Sequence, residues 1–212
     1  MSRPGPRPIG AALIAAAVAG MLLTGCAGAS PEVSASTAGS IGAVAPEGTV
    51  TPTPGSGATP PTGYDVVVIA DEADPVAAGL VSAAEQWAGR VGAHLVTTDA
   101  TGEDEVYAAV TAAVAEHPDL VVGAGAGVVD QLAMLTSQVL DQQFLVLGAQ
   151  LSEPTENVTA VVWPGAAFRG SGLGASDEGT ATSVTAERAT EAVEAGVASV
   201  LEGRTGIVLA LG

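Results

Sequence analysis

The stretch Tyr64-Asp65-Val66-Val67-Val68-Ile69-Ala70 decides the fold class, because it is a short run dominated by β-branched residues. Such a run is typical of a strand that is buried on both faces, as strands of parallel sheets are. The run ends at the acids Asp71, Glu72 and Asp74, and the pair Asp74-Pro75 is typical of a helix N-cap and first helical residue. We therefore predict a strand that leads directly into a helix.

The same alternation continues to the end of the chain. Thr101, with Asp104 three positions on, is typical of a capping box that opens a second helix, and His117-Pro118 ends that helix. Further strands are predicted at residues 94–98, 119–122, 144–147, 158–163 and 206–211, and further helices at residues 128–139 and 186–201. This order predicts an α/β fold with a single doubly wound, mostly parallel sheet, helices on both faces and right-handed crossovers.

The chain upstream of Tyr64 has a different composition. Residues 27–63 consist mostly of Ala, Gly, Ser, Thr and Pro, with almost no large apolar side chain. Such a segment cannot bury enough surface to offset the entropy of ordering it. We therefore divide the chain into three parts. Residues 1–25 form an N-terminal segment that is interpreted below, residues 26–63 form a tether that begins at Cys26, and residues 64–212 form the folded domain.

The N-terminus has the pattern of an export signal. Two arginines precede an apolar run at residues 9–23, which is too short for a membrane-spanning helix and is typical of a secretory signal peptide. The next residues, Leu23-Thr24-Gly25-Cys26, resemble the lipobox of bacterial lipoproteins. That resemblance implies cleavage after residue 25 and a lipid on Cys26, which would anchor the protein in the lipid bilayer on the extracytoplasmic face of the cell membrane. The alternative is an ordinary signal peptide with an accidental cysteine.

The charge balance excludes several partners. The chain has 23 acidic residues against six arginines and no lysine, and its net charge is -17. Nucleic acid is excluded as a partner because binding phosphates requires a basic face. Adsorption to anionic lipid is disfavoured for the same reason, so membrane attachment must be apolar or covalent.

The loops after the strands are the candidate ligand sites, since ligands of open parallel sheets bind beyond the carboxyl ends of the strands. The glycine loop at residues 123–127 is not a dinucleotide fingerprint, because position 128, where the third glycine belongs, is Val. It also lacks the Lys and Ser or Thr of a nucleoside triphosphate loop. Its glycines either allow a sharp turn with close helix packing or let the backbone approach a small ligand.

The sequence offers no catalytic set. The two histidines, His94 and His117, stand at a strand start and a helix end, and neither belongs to a nucleophile, base and acid combination. We expect no enzyme activity, no cofactor and no metal site.

Two features near the strand ends could contact a ligand. Asp71 and Asp74 could bind a cation or accept hydrogen bonds from a hydroxylated ligand, or they could be ordinary surface acids, with Asp74 as a helix cap. Trp163 could stack on a ring at the mouth of a cleft, or it could pack beneath a loop. The default role of Arg169 is a surface ion pair.

A family resemblance joins these features. The segment Pro118-Asp119-Leu120-Val121-Val122-Gly123-Ala124-Gly125-Ala126-Gly127-Val128-Val129-Asp130 is similar to the pattern of the basic membrane protein family of lipoproteins, and the strands at residues 144–147 and 158–163 follow in the family's order. Members are solute-binding components of ABC importers with a type I periplasmic-binding-protein fold, and several bind purine nucleosides between two lobes. The resemblance implies a small-molecule solute, an ABC permease as partner, and a ligand-facing edge formed by Asp71, Asp74, Gly125, Gly127, Asp130 and Trp163.

The chain also departs from that family. Asp74-Pro75-Val76-Ala77 stands where members carry an aromatic and amide pair, and the second lobe is absent from the sequence. Two other functions therefore stay open. One is a non-enzymatic interaction or regulatory lipoprotein that kept one lobe and lost its ligand, and the other is an extracytoplasmic enzyme on a flavodoxin-like sheet.

Overall fold

The computed structural model of the protein describes residues 48–52, 57–151, 154–169 and 181–212. The predicted signal peptide, Cys26 and most of the predicted tether lie outside these residues. None of the helices in the described residues is both long enough and apolar enough to cross a membrane.

Strands and helices alternate through the domain, as the sequence predicts. The strands are β1 (Thr49–Val50), β2 (Asp65–Asp71), β3 (His94–Ala100), β4 (Leu120–Ala124), β5 (Phe144–Leu147), β6 (Ala149–Leu151), β7 (Val158–Val162), β8 (Ala167–Arg169) and β9 (Val208–Ala210). The α-helices are α1 (Ala77–Val91), α2 (Glu103–Glu116), α3 (Val129–Leu135) and α4 (Ala186–Leu201), with 3-10 turns at Thr136–Gln138 and Ala181–Ser183.

One seven-stranded sheet forms the centre of the domain. Its order is β1-β9-β7-β5-β4-β2-β3 and every pairing is parallel, while β6 and β8 form a separate parallel pair. The α/β fold class is confirmed. The short β6 and β8 were not predicted, because three-residue strands are too short to show a period of two.

Both faces of the sheet are covered, because successive side chains of a strand point to opposite faces. In β2, Val66 and Val68 pack with α1 and α4, whereas Val67 and Ile69 pack with α2 and α3. The predicted doubly wound arrangement is therefore confirmed. The apolar run that opens the domain supplies the centre of two cores.

One crossover has the opposite hand from the others. The steps from β3 to β4 and from β4 to β5 progress in one direction across the sheet, with α2 and α3 on one face. The step from β7 to β9 progresses in the same direction, but α4 covers the other face. Equal direction on opposite faces reverses the hand, so the prediction of uniform right-handed crossovers is wrong for this connection.

The sheet begins upstream of the predicted domain boundary. Thr49 and Val50 pair in parallel with Val208 and Leu209 of β9, and Val50 packs against the core on the α1 and α4 face. Part of the segment predicted as tether, ahead of the boundary at residue 63, is therefore an edge strand. The composition did not reveal this, because two residues can be held by a neighbouring strand without a core of their own.

Two helix starts differ from the predictions. Helix α1 begins at Ala77, and Asp74 is not its N-cap; Asp74 Oδ1 accepts the N–H of Val76 at 2.9 Å in the turn before the helix. The capping box at Thr101 is also wrong. Gly102, with φ +79°, precedes the first residue of α2, and the carboxylate of Glu105 accepts the N–H of Thr101 at 2.9 Å.

The end of α2 agrees with the prediction. His117 follows the last helical residue with φ 52°, and its N–H donates to the carbonyl of Val114 at 3.1 Å. The predicted third helix is shorter than expected, since α3 stops at Leu135 and continues only as a 3-10 turn.

Candidate functional site

The topology places a switch point between β2 and β4. The chain leaves β2 towards β3 on one side, and it leaves β4 towards β5 on the other. The two following helices, α1 and α3, cover opposite faces of the sheet. Such a point is the usual ligand position of doubly wound sheets. We call the strand-end region formed by residues 71–76 and residues 125–128 the switch-point crevice.

Asp74 ties the two loops of the switch-point crevice together. Its Oδ2 accepts the backbone N–H of Gly127 at 3.0 Å, and its Oδ1 accepts the N–H of Val76 at 2.9 Å. A carboxylate is a stronger acceptor than a neutral group, so these bonds are the more stable kind of side-chain to backbone contact. Asp74 therefore acts first as a support for the loop geometry.

The glycines of the loop are required by this close approach. Gly125 has φ +85°, and a Cβ atom on it would collide with Oδ2 of Asp74. A Cβ on Gly127 would lie 2.6 Å from Cβ of Asp71. The glycine loop is thus packed directly against the acidic loop. Of the two roles considered for its glycines, close packing and ligand approach, the structure shows close packing.

The strand before the loop shows the same need for space. A Cβ on Gly123 would lie 2.6 Å from Cδ1 of Leu132, a residue of α3. The Gly125 N–H meanwhile donates to the carbonyl of Leu147 at 2.9 Å, which extends the β4–β5 ladder into the loop. Close helix packing and a sharp turn therefore account for the spacing of the glycines.

The remaining acids form the open rim of the switch-point crevice. Oδ1 of Asp71 accepts the N–H of Ala73 at 2.9 Å, and Glu72 accepts the hydroxyl of Thr101 at 3.3 Å. No described residue donates to Oδ2 of Asp71. Asp130 is exposed in the first turn of α3. Asp71 and Glu72 offer carboxylate oxygens to a ligand.

Thr101 is a further member of this rim. It follows β3, and its hydroxyl joins the β3 end to the β2 end through Glu72. Its loop, residues 99–102, was a candidate ligand loop because it follows a strand, but Thr101 itself was predicted only as a helix cap.

Trp163 lies away from the switch-point crevice. Strand β5 separates β4 from β7, and Trp163 follows β7. Its side chain is buried, with 5% exposure, and its ring N–H donates to the hydroxyl of Ser183 at 3.1 Å. Gly148 makes room for the ring, since a Cβ there would lie 3.0 Å from it. The structure thus gives Trp163 the packing role rather than the stacking role.

The structure therefore brings together four of the six predicted ligand residues, Asp71, Asp74, Gly125 and Gly127. Asp130 lies further along the chain in the first turn of α3, and Trp163 lies away from this region. The described residues contain no cluster of three His, Cys, Asp or Glu side chains arranged to hold a metal ion.

A cavity of about 300 Å³ lies at the opposite end of the sheet. Residues 57–60 form one wall, and the ends of α1 and α4 form the other, with Trp87, Arg90 and Glu194 among the lining residues. Arg90 bridges the two helices through an ion pair of 2.7 Å with Glu194, and both side chains are half exposed. The sequence reasoning did not anticipate this cavity, because the wall comes from the segment predicted as tether.

At the amino end of β2, away from the switch-point crevice, the side chain of Tyr64 has a raised pKa. Burial, and to a smaller extent the charge of Asp119, raises the pKa of Tyr64 to about 12. Tyr64 directly precedes β2, and its buried side chain belongs to the core on the α1 and α4 face.

Neither a protein-family model nor a curated protein sequence matches this chain. Several solved structures resemble it, including the following three. One is an ABC transporter solute-binding protein from Aeropyrum pernix K1, with a TM-score of 0.43, 18% identity, and coverage of 50% of this chain and 29% of that chain. Another is a periplasmic ribose ABC transporter protein from Conexibacter woesei DSM 14684, with a TM-score of 0.41, 19% identity, and coverage of 50% and 36%.

The third similar structure is a fragment from Peptoclostridium difficile 630 that is described as a lipoprotein. Its TM-score is 0.47 at 12% identity, and the match covers 66% of this chain and 98% of the fragment. This chain spans about a third of the length of the two transporter proteins. These three structures thus include ABC transporter solute-binding proteins and a lipoprotein, and none of the three is named as a basic membrane protein or as a nucleoside binder.

Proposed function

We propose that this protein is a membrane-anchored lipoprotein of the solute-binding type, which works with an ABC importer and has no catalytic activity. The observation that carries the proposal is the switch-point crevice, where the Asp74–Gly127 bond holds two strand-end loops in a defined geometry. Doubly wound sheets bind their ligands at this position.

The chemistry of the rim favours a solute rich in hydroxyl groups, of which a nucleoside is one example. The second oxygen of Asp71 and the carboxylate of Glu72 can accept hydrogen bonds from hydroxyls, and a charged acceptor strengthens such bonds. Acceptors of one sign disfavour a phosphorylated or carboxylated solute, because the like charges would repel.

A single lobe gives such a solute only one wall. Tight binding of small ligands requires most of the ligand surface to be buried, and two-lobed binding proteins achieve this by closing around a hinge. We propose that a second copy of the chain or a partner protein supplies the opposing wall. Without it, we expect weak binding.

A thermal-shift screen tests the solute proposal. The secreted chain would be screened against nucleosides, pentoses and hexoses, and a true ligand at a hundred times its Kd should stabilise the fold by about 2.7 kcal/mol. Glu72→Gln should weaken this effect, whereas Glu116→Gln at the far end of α2 serves as the matched control. If no solute shifts the transition, the proposal is wrong.

The lipid anchor has its own test. Cys26→Ser should move the protein from the membrane fraction to the soluble fraction, because two or three acyl chains on the cysteine supply the attachment. Ala27→Ser is the control, since it changes the neighbouring residue and keeps the thiol. Continued membrane retention of Cys26→Ser would contradict the anchor.

One observation favours the alternative function, an interaction or regulatory lipoprotein without a ligand. Both oxygens of Asp74 and the ring N–H of Trp163 are already bonded within the chain. This alternative predicts no response to any solute in the screen, together with a defined protein partner at the membrane.

A further inference from the structure

The two edges of the main sheet are different. At one edge, the short strand β1 covers β9, with Thr49 opposite Val208. At the other edge, β3 has β2 as its single neighbour within the described sheet. β3 is seven residues long, so a full-length strand edge is left without a partner strand.

The hydrogen-bonding direction of each β3 residue follows from its two ends. The His94 N–H donates to the carbonyl of Tyr64 at 2.9 Å, and the Ala100 carbonyl accepts the N–H of Glu72 at 2.9 Å. Both ends therefore face β2. Since the direction alternates along a strand, Leu95, Thr97 and Asp99 turn their N–H and C=O groups outward. No described residue bonds these outward groups.

β3 lacks most of the features that usually protect an edge. Proteins block edge strands with charged side chains, proline, bulges or very short strands. β3 has seven residues without proline or a bulge, and its acidic residue is Asp99, next to its last residue. Val96 is 43% exposed on the face that carries α2, and Tyr107 of α2 is also 43% exposed. An added strand would find apolar contacts on this face as well as main-chain partners.

The charges around this edge are of one sign. Asp99 lies on β3, and Glu85 of α1 approaches the Thr97 hydroxyl at 3.5 Å. His94 is paired with Asp65 at 3.1 Å, and neither β3 nor α2 contains Arg or Lys. A second copy would bring the same negative groups against this edge, whereas a basic segment would complement them.

We propose that the outer edge of β3 is a docking site for an extended, Lys- or Arg-bearing segment of a partner protein, which joins the sheet as an additional strand. Main-chain bonds to Leu95, Thr97 and Asp99 supply affinity, and contacts with Val96 and Tyr107 select alternating apolar residues. The basic residues of the segment meet Asp99 and Glu85. The proposal does not depend on solute binding at the switch-point crevice.

Hydrogen exchange with a defined peptide tests the site. The probe is acetyl-(Lys-Val)₄-amide, and the controls are the (Glu-Val)₄ peptide and a Lys-Val peptide interrupted by proline. We expect the Lys-Val peptide to slow exchange at the amides of Leu95, Thr97 and Asp99 by at least tenfold. The amides of Val96 and Thr98, which already face β2, should change little. Absence of this alternation would overturn the proposal.

Matched variants separate strand addition from charge attraction. Thr97→Pro removes an outward N–H without touching the β2–β3 ladder, and Thr97→Val keeps that N–H. We expect Thr97→Pro to weaken peptide binding at least tenfold and Thr97→Val to change it less than twofold. If Thr97→Pro does not fold, Asp99→Lys carries the test, because it should weaken the Lys-Val peptide and strengthen the Glu-Val peptide.

Three results would contradict the proposal. The first is equal binding of the proline-interrupted peptide, which would indicate attraction to net charge alone. The second is equal binding by Thr97→Pro and Thr97→Val. The third is concentration-dependent self-association that protects the same three amides, because the occupant would then be a second copy.

Discussion

Asp74 and Gly127, which are 53 positions apart in sequence, are joined by a 3.0 Å hydrogen bond between a carboxylate oxygen and a backbone N–H. The bond connects the loop after β2 to the loop after β4. Because the two loops belong to helices on opposite faces of the sheet, this contact also couples the two cores.

Asp74→Asn should therefore destabilise the domain. An amide has only one acceptor oxygen, so either the Gly127 N–H or the Val76 N–H loses its partner. We expect a loss of about 1 to 3 kcal/mol in the free energy of unfolding, measured by urea denaturation. Glu116→Gln, an exposed acid of α2, should change it by less than about 0.5 kcal/mol. Equal effects of the two substitutions would contradict a structural role for Asp74.

Gly125→Ala should be more damaging than Asp74→Asn. Alanine would have to adopt the φ of +85° found at Gly125, which residues with a side chain rarely adopt. Its methyl group would also collide with the Asp74 carboxylate. We expect a loss of more than about 3 kcal/mol or failure to fold. Gly89→Ala is the matched control, because Gly89 lies in α1 with open space around it, and alanine there should stabilise by about 0.5 to 1 kcal/mol. Both changes are read from thermal unfolding.

Tyr64 should make the protein less stable at high pH. Its pKa rises from 10.0 to about 12 on folding, mainly through burial, so the folded state keeps the proton that the unfolded state releases. The stabilisation is complete below pH 10 and is lost between about pH 10 and pH 12, with a total of about 2 to 3 kcal/mol.

Urea unfolding at several pH values checks this prediction. Tyr64→Phe should remove most of the decline above pH 10, because phenylalanine packs similarly and has no proton to lose. An unchanged decline in Tyr64→Phe would assign the effect to another group.

Trp163 and Ser183 should be energetically coupled. Trp163→Phe removes the ring N–H that Ser183 accepts, and Ser183→Ala removes the acceptor. We expect each substitution to cost about 1 to 2 kcal/mol and the double variant to cost less than the sum. A strictly additive double variant would show that the bond contributes nothing. Solute binding at the switch-point crevice should be unaffected by Ser183→Ala.

The edge strand β1 should contribute to stability. Val50→Asp places a charge against the core on the α1 and α4 face, so we expect a loss of about 1 to 3 kcal/mol. Thr49→Ser, which keeps the parallel pairing with β9, is the control. If both variants unfold like the parent chain in urea, residues 49 and 50 do not belong to the domain.

Part of the candidate site could be predicted from local patterns. The acids after β2 and the glycine loop after β4 were identifiable because a polar or glycine-rich break after a buried strand marks a strand end. Their proximity followed from the rule that carboxyl ends of parallel strands share one edge. The bond between Asp74 and Gly127 could not be predicted, because the donor, the Gly127 N–H, is distant in the chain.

Trp163 shows a second limit of sequence reasoning. Its position after a strand fits both stacking on a ligand and packing under a loop, and composition does not separate the two. Trp163 packs beneath a loop because Gly148 leaves room for its ring and Ser183 accepts its N–H. These partners are 15 and 20 positions away, and neither has a local signal.

The sequence by itself determined the fold class, because the spacing of apolar residues sets which segments can be buried strands and which can be amphipathic helices. It also determined the strongly acidic charge balance of the chain, from which we predict that nucleic acid is not a partner. The tertiary structure alone decided that β1 belongs to the sheet, that the β7 to β9 crossover reverses its hand, and that Asp74 serves Gly127. Each of these depends on contacts between segments far apart in the chain, and local periodicity carries no information about such contacts.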